Sequence, residues 1–508
     1  MLTAGRFAAT AVSASAIAGM LIAGLSGCQS ELDQPERGIY RLPISAPGGE
    51  IDPMTAADPF ALAITGLVTE PLISLDAEGA LRGRVAEAWF ASDDGLTWTV
   101  VLREGVEFND GTPLTSRDVV FTFDTLTADA TLSPGGMAFS GILDSVHAAS
   151  DLTVEFDLVR PFSDFPLLLT GANTGIVPEG YRAGTWLEDP VGAGQFVLTE
   201  YSPSRGATYE KNQRYWNADE IELDGVELKI YPDAQGQLLA FQADEIDRTA
   251  LTSEAAAAVD LALYDIVSTG YNRFDGVFFD VTEPPFDDVE ARQAVAWAID
   301  RPALIERVYL GAADVANDMT FFPDYKPSPS NVEQRFQDLD RVTQLLDGRT
   351  LSFTITTSYQ LLGEVLQQQL NAIPGFDVAL DVLSSEEYYA DGEASPWLHA
   401  PVTATSWGKR APSQFITMMY GSGAEWNASR FASEELDVLI AEFDETTDDA
   451  RRQQLADEIG RLQWEEVPVV IPAFSASRAL QSKRVTGELI GPIDFYTGYD
   501  LAGIAIEE

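Results

Sequence analysis

Two histidines and one cysteine bound the covalent chemistry open to this chain. His147 and His399 are its only imidazoles, and Cys28 is its only thiol. Neither His has a second His or a Cys at ligand spacing, so a His-based metal site and a Ser-His-Asp triad are poorly supported. No Gly-rich phosphate loop of the Walker type occurs, and no G-x-G-x-x-G follows a strand-like run. The 80 Asp and Glu residues allow an acid/base pair in principle, but no spacing singles one out. Close carboxylates such as Asp76 and Glu78, or Asp287 and Asp288, could hold Ca²⁺, yet no loop of EF-hand spacing exists. The expectation is a protein with no catalytic residue, no metal site and no cofactor.

The remaining chemistry is binding, and composition says what is not bound. The chain has 508 residues, 31 Lys+Arg against 80 Asp+Glu, and a formal charge of −49. Nucleic acid is an unexpected partner, because a phosphate backbone is held by clustered Lys and Arg and no dense basic run appears. Hydrophobic content of 45% and aromatic content of 10% exclude a disordered acidic chain. At roughly 150 residues per domain, about three domains or lobes are expected. Lys occurs only at 211, 229, 326, 409 and 483, leaving Arg as the main cation. The acid excess reads as a surface kept soluble by negative charge.

The N-terminus reads as an export segment rather than part of the fold. Residues 7–30 carry no charge, follow Arg6, and are rich in Ala, Gly, Ser and Leu. A membrane anchor and a signal peptide both fit such a run, and its small residues favour the signal. Leu25-Ser26-Gly27-Cys28 resembles the bacterial lipobox. By that resemblance residues 1–27 are removed, Cys28 is lipidated, and residues 28–37 form a polar tether. Removal takes away one Arg and no acid, so the mature charge is −50.

Beyond the tether, strand-like and helical patterns alternate. Strands are expected at Gly38–Ile44, from Ala86, at Thr97–Leu102 and Leu152–Leu158, through Phe196 to Tyr201, and at Gly225–Tyr231. Residues 60–75 look helical. Thr115 or Ser116 caps a helix with Asp118 in its first turn. Ala240–Ala250 reads as a helix with a short strand after it, and 271–286 as extended. Asp287 or Asp288 caps a helix over Val289–Ile299, and Pro302 opens another. Residues 349–357 and 376–383 read as strands around a helix at 359–372. Arg430–Glu442 and Asp448–Glu466 are helical, and Val467–Phe474 is a buried strand. Alternation in both halves predicts an α/β protein.

Several of these stretches resemble family 5 extracellular solute-binding proteins, the dipeptide, oligopeptide and nickel type. Val85-Ala86-Glu87-Ala88-Trp89, Ser92-Asp93-Asp94-Gly95-Leu96-Thr97-Trp98-Thr99 and Leu102-Arg103-Glu104-Gly105-Val106-Glu107-Phe108-Asn109-Asp110-Gly111-Thr112-Pro113 carry the resemblance first. Asn109 stands where the family usually has His. Gly192-Ala193-Gly194-Gln195-Phe196, then Asn212, Tyr215 and Trp216, follow in order. Pro284-Pro285-Phe286-Asp287-Asp288, Arg292-Gln293-Ala294 and Ala298-Ile299-Asp300-Arg301 come next, and Leu436-Asp437 and Pro468 close the series. Turn chemistry and helix capping account for most of these residues, so they are expected to build the fold rather than touch a ligand.

The resemblance implies a two-lobed periplasmic-binding-protein-like α/β fold of type 2, with mixed sheets flanked by helices. Lobe 1 would take 38–270 plus 476–508, with an extra subdomain at about 60–190, and lobe 2 would take 271–475. The crossings would lie near Asp275 and Ser475. The implied role is the extracytoplasmic component of an ABC importer: a monomer, lipid-anchored at the membrane, passing a peptide or other small polar solute to permease subunits. A sensing receptor of the same fold and an exported hydrolase are the alternatives. In peptide-binding relatives a Trp is followed by an Asp that pairs with the ligand's amine. Here Trp407-Gly408-Lys409-Arg410 puts two cations at that place. An ammonium ligand would be repelled there and a carboxylate or phosphate favoured, bidentately by Arg410. Trp407 would be a stacking wall, unless it is a core residue. Tyr271 and Asn272 before the crossing, and Asn173 in the first lobe, complete the candidate ligand contacts.

Overall fold

The computed structural model describes residues 38–507 apart from 57, 77–78, 129–133, 391–394, 488–492 and 495–497. Cys28, the signal segment, the tether and Glu78 lie outside the described residues.

Among the described residues, two four-stranded sheets and one seven-stranded sheet carry the fold, beside three two-stranded pairs. In the first, strand Ile39–Ile44 runs parallel to Gly225–Ile230, which pairs antiparallel with Gly206–Lys211, itself paired with Phe196–Ser202. Alternate residues Tyr40, Leu42 and Ile44 are buried with Trp186, Tyr209 and Leu228, as a period of two requires when one face is covered. The second sheet orders Ala86–Ala91, Thr97–Leu102, Thr153–Leu158 and Leu143–Ser150, all antiparallel. Its buried residues Trp98, Val100, Val154 and Phe156 meet Val119 and Phe123 of helix Ser116–Thr127. Thr115 caps that helix, and Asp118 returns a bond to the Thr115 backbone N–H at 2.7 Å, a capping box.

The third sheet has seven strands, ordered Arg248–Ala250, Val469–Ser482, Tyr264–Phe279, Val402–Gly408, Leu351–Thr357 and Phe376–Val382, with Ala313–Val315 added on Val469–Ser482. Both faces are covered. Val277, Phe279, Val402, Ala404 and Val470 enter one core with helices Val289–Ala298, Arg301–Val308 and Gln360–Asn371. The alternate residues Phe274, Phe278, Trp407, Val469 and Ile471 enter another, with helices Pro412–Tyr420, Glu434–Glu445 and Asp449–Glu466. The parallel pair Leu351–Thr357 and Phe376–Val382 is joined through helix Gln360–Asn371, the crossover that parallel pairing demands.

Arg292 and Asp300 do the structural work expected of them. Arg292 donates to the carbonyls of Phe286 and Glu466, both at 2.7 Å, and Asp300 caps helix Arg301–Val308. Arg301, Asp318 and Arg335 form a fully buried group, with Arg301 Nη2 2.7 Å from Asp318 Oδ2 and Arg335 bonded to the same oxygen.

Several elements differ from the sequence reading. The helix expected from Ala240 spans Ala234–Gln242, because Asp233 caps it and accepts from Gly236 N at 2.7 Å. The extended run expected from 271 begins at Tyr264, and the strand expected to stop at Phe474 continues to Ser482. Pro472 is tolerated there because the ladder shifts register between Ala473 and Val470. The helix expected over 60–75 is confined to Pro59–Gly66, and Ile73–Leu75 is a strand. Helix Pro412–Tyr420 and strand Leu143–Ser150 were not foreseen.

Candidate functional site

The antiparallel ladder between Tyr264–Phe279 and Val402–Gly408 sets Phe274 opposite Trp407 and Arg273 opposite Gly408. One step further on, Lys409 N donates to the Asn272 carbonyl at 2.8 Å. Five expected residues, Tyr271, Asn272, Trp407, Lys409 and Arg410, are therefore brought together at one end of the sheet. Strand Val402–Gly408 finishes here, while its parallel neighbour Leu351–Thr357 ends opposite Ala404, and the crevice beyond carboxyl strand ends is where α/β sheets receive ligands.

Trp407 is buried, and its ring lies 5.8 Å from Trp426, 6.1 Å from Trp397, 6.2 Å from Phe278 and 6.3 Å from Phe415. It anchors a wall of aromatics, with its Nε1 unpartnered. The two adjacent cations behave differently. Lys409 Nζ is in contact with Asp324 and sits above the rings of Phe322 and Tyr325, at 5.6 and 5.1 Å. Its charge is matched within the chain. The Arg410 guanidinium lies over two indoles, 5.6 Å from Trp407 and 5.8 Å from Trp426, and Nη1 donates to the Gly408 carbonyl at 2.9 Å. Stacking on aromatic faces fixes the plane of a guanidinium.

Tyr271 donates its hydroxyl to Asp314; burial first, and then that carboxylate, push its pKa up, so it stays a neutral donor. Asn272 Nδ2 donates to Ser477 Oγ, while its Oδ1 is buried without a partner. Asn173 is held elsewhere. It lies in the short turn Ala172–Thr174 and donates to the Ala56 carbonyl at 2.8 Å, beside the core of the first sheet.

Other residues join the site that the sequence did not single out. Asp275, on the face opposite Phe274, is 2% exposed; Tyr309 donates to its Oδ2, and its Oδ1 has no partner. Tyr359, Tyr389 and Thr405 form a chain of hydroxyls with links of 3.1 Å each. A charged residue inside the apolar run Phe274–Phe279 was the signal available for Asp275. The loop partners Asp324 and Trp426 carried none.

The arrangement can hold a small solute by stacking, a guanidinium and hydroxyls. His147 sits on the second sheet, with Nε2 3.0 Å from Glu155, and His399 is 3.2 Å from Arg430.

The model of the bacterial extracellular solute-binding proteins, family 5 Middle, matches residues 80–427. A glutathione-binding protein, GsiB of Escherichia coli (strain K12), is 24% identical over 470 residues, covering 87% of this chain and 90% of its own. HbpA2 from Haemophilus parasuis superposes with a TM-score of 0.81 at 20% identity, covering 92% of this chain and 100% of its own. The periplasmic binding protein DppA from Helicobacter pylori, solved with the peptide STSA, gives a TM-score of 0.69 at 21% identity, covering 93% of this chain and 98% of its own. The fold is the two-lobed one of periplasmic binding proteins, and the relatives are binding proteins rather than enzymes. With more than half its length matched, this chain belongs to the bacterial extracellular solute-binding proteins of family 5.

Proposed function

We propose that this chain is the solute-binding component of an ABC importer and captures a peptide-like solute through an anionic group. The observation that carries the reading is the place of the Arg410 guanidinium, laid on Trp407 and Trp426 at the end of the sheet where Tyr271 and Asn272 also lie. A carboxylate or phosphate meets Arg410 bidentately, and the aromatic wall takes the apolar part of the solute. Tyr271 and Asn272 add a hydroxyl and an amide from the facing strand. Asn173 is a contact from the other lobe in this reading. A relative named for binding glutathione and another solved with a peptide support the peptide-like class.

Binding is a closure equilibrium with no covalent step. The two lobes are assigned to 38–270 plus 476–508 and to 271–475. The mature chain starts at Cys28, is lipid-anchored, works as a monomer outside the cytoplasm and hands its solute to membrane permease subunits.

Mass spectrometry of what co-purifies with the protein identifies the solute. Arg410→Ala then loses at least about tenfold in affinity for it, the worth of one charge-assisted contact. Unchanged affinity would show that the anion is held elsewhere.

A further inference from the structure

Two hydrophobic cores meet at a polar contact remote from the sheet ladders. One side is the segment Arg160–Phe165, whose Phe162 and Phe165 belong to the core around Trp98 and Phe123. The other side is formed by helices Pro412–Tyr420, Glu434–Glu445 and Asp449–Glu466, whose Phe415, Ile440, Phe443 and Leu455 belong to the core around Trp407. Arg452 Nη2 lies 2.5 Å from Asp164 Oδ1, and Ser413 N donates to Asp164 Oδ2 at 2.9 Å. Ser163 N donates to the Asp444 carbonyl at 2.7 Å, and Arg160 Nη1 lies 2.8 Å from Asp444 Oδ2.

Asp164 is the centre of this contact. It stands at the cap position of the short helix Phe165–Leu168 yet gives that helix no side-chain bond. Its carboxylate goes instead to the first amide of helix Pro412–Tyr420 after the proline, at the positive end of that helix. Arg452 supplies a full positive charge to the same carboxylate, and both side chains are 7% exposed. Only Ala411 separates this helix from Arg410. A carboxylate borne on one core thus fixes the start of the element that carries the Trp407–Arg410 loop on the other.

We infer that Asp164 and Arg452 are positioning residues for solute capture: their pair docks the two cores and holds the Trp407–Arg410 loop where the solute meets it. The word capture rests on the proposed function; the docking does not. Removing one partner leaves the other charge buried and uncompensated. Lys at 452 keeps the charge but loses the fork.

Small-angle X-ray scattering of the full mature chain, with no solute added, tests the docking directly. Arg452→Ala and Asp164→Asn are each expected to raise the radius of gyration by about 1 Å, on a base of about 23 Å, with unchanged far-ultraviolet circular dichroism. Arg452→Lys is expected to fall between them and the wild type. Wild-type scattering from both Arg452→Ala and Asp164→Asn would overturn the inference, as would expansion only with lost helicity. If Arg452→Ala does not fold, Asp164→Asn decides alone. Arg410→Ala is expected to scatter as the wild type. Lost affinity there beside unaltered scattering in Asp164→Asn would leave the solute site standing and remove the clamp.

Discussion

Lys409 and Arg410 are neighbours in sequence and strangers in role. The sequence marks both as cations in a chain poor in Lys, and that much was legible. The partner of Lys409 is Asp324, which lies 85 positions away and carries no pattern of its own. Long-range pairing of this kind is invisible to period and spacing. Asp318 makes the same point in the interior. It has a left-handed backbone, φ 59°, accepts from Ile471 N at 2.9 Å, and faces Arg301 and Arg335 with every side chain fully buried. Arg335 stacks on Trp464 and Trp297 at 4.4 and 5.0 Å, so it cannot turn away to find water. Asp318→Asn therefore strands two buried guanidiniums, and a loss of about 3–5 kcal/mol is expected in urea unfolding. A loss below about 1 kcal/mol would show that the two arginines are neutralised by carbonyls alone.

Among elements, those with a clear period or cap were legible: Thr97–Leu102 by alternation, Ser116–Thr127 by its box, and Asp449–Glu466 by the Asp448 cap. Helix Pro412–Tyr420 was not, because its N-terminus is completed by Asp164 from another part of the chain rather than by a local cap. Helix Glu434–Glu445 adds a prediction of its own. Asp444 sits in its last turn, where a carboxylate faces the negative end of the dipole. Burial foremost pushes its pKa from 3.8 up to about 6, with Asp164 adding to the rise and Arg160 and Ser413 opposing it. Asp437, in the same hollow, and Arg452, stacked on Phe443, are the other charges nearby. A raised carboxylate pKa means the folded chain binds the proton more tightly than the unfolded chain. Its stabilising contribution is complete below about pH 4 and is lost as pH rises through about 6. Asp444→Asn is thus expected to gain on the wild type as pH goes from 5 to 7.5, by about 1.4 kcal/mol. Melting curves across that range check the sign, and a gap that does not change with pH would show the carboxylate to be hydrated.

At the scale of the molecule, the ordered run of motifs from Val85 to Pro468 made the family legible, while the solute stayed out of reach because it depends on side chains from separate loops. The proposed anchoring also belongs to this scale: a chain with a formal charge of −49 is repelled by an anionic bilayer, and acyl chains on Cys28 would hold it there. Cys28→Ser is expected to move the protein from the membrane fraction to the soluble fraction, and retention in the membrane would point to a spanning anchor instead. The strands Tyr264–Phe279 and Val469–Ser482 run side by side from the small core at Phe241 and Leu480 to the large ones at Phe274 and Val470. Their ladder slips at Ser268/Tyr271, Tyr271/Arg273 and Asp275/Val277. A ribbon interrupted in this way bends and twists more strongly at each slip than a regular ladder does. Each slip is thus a fixed bend, so the relative orientation of the cores along the ribbon is written into backbone register before any side chain between them makes contact.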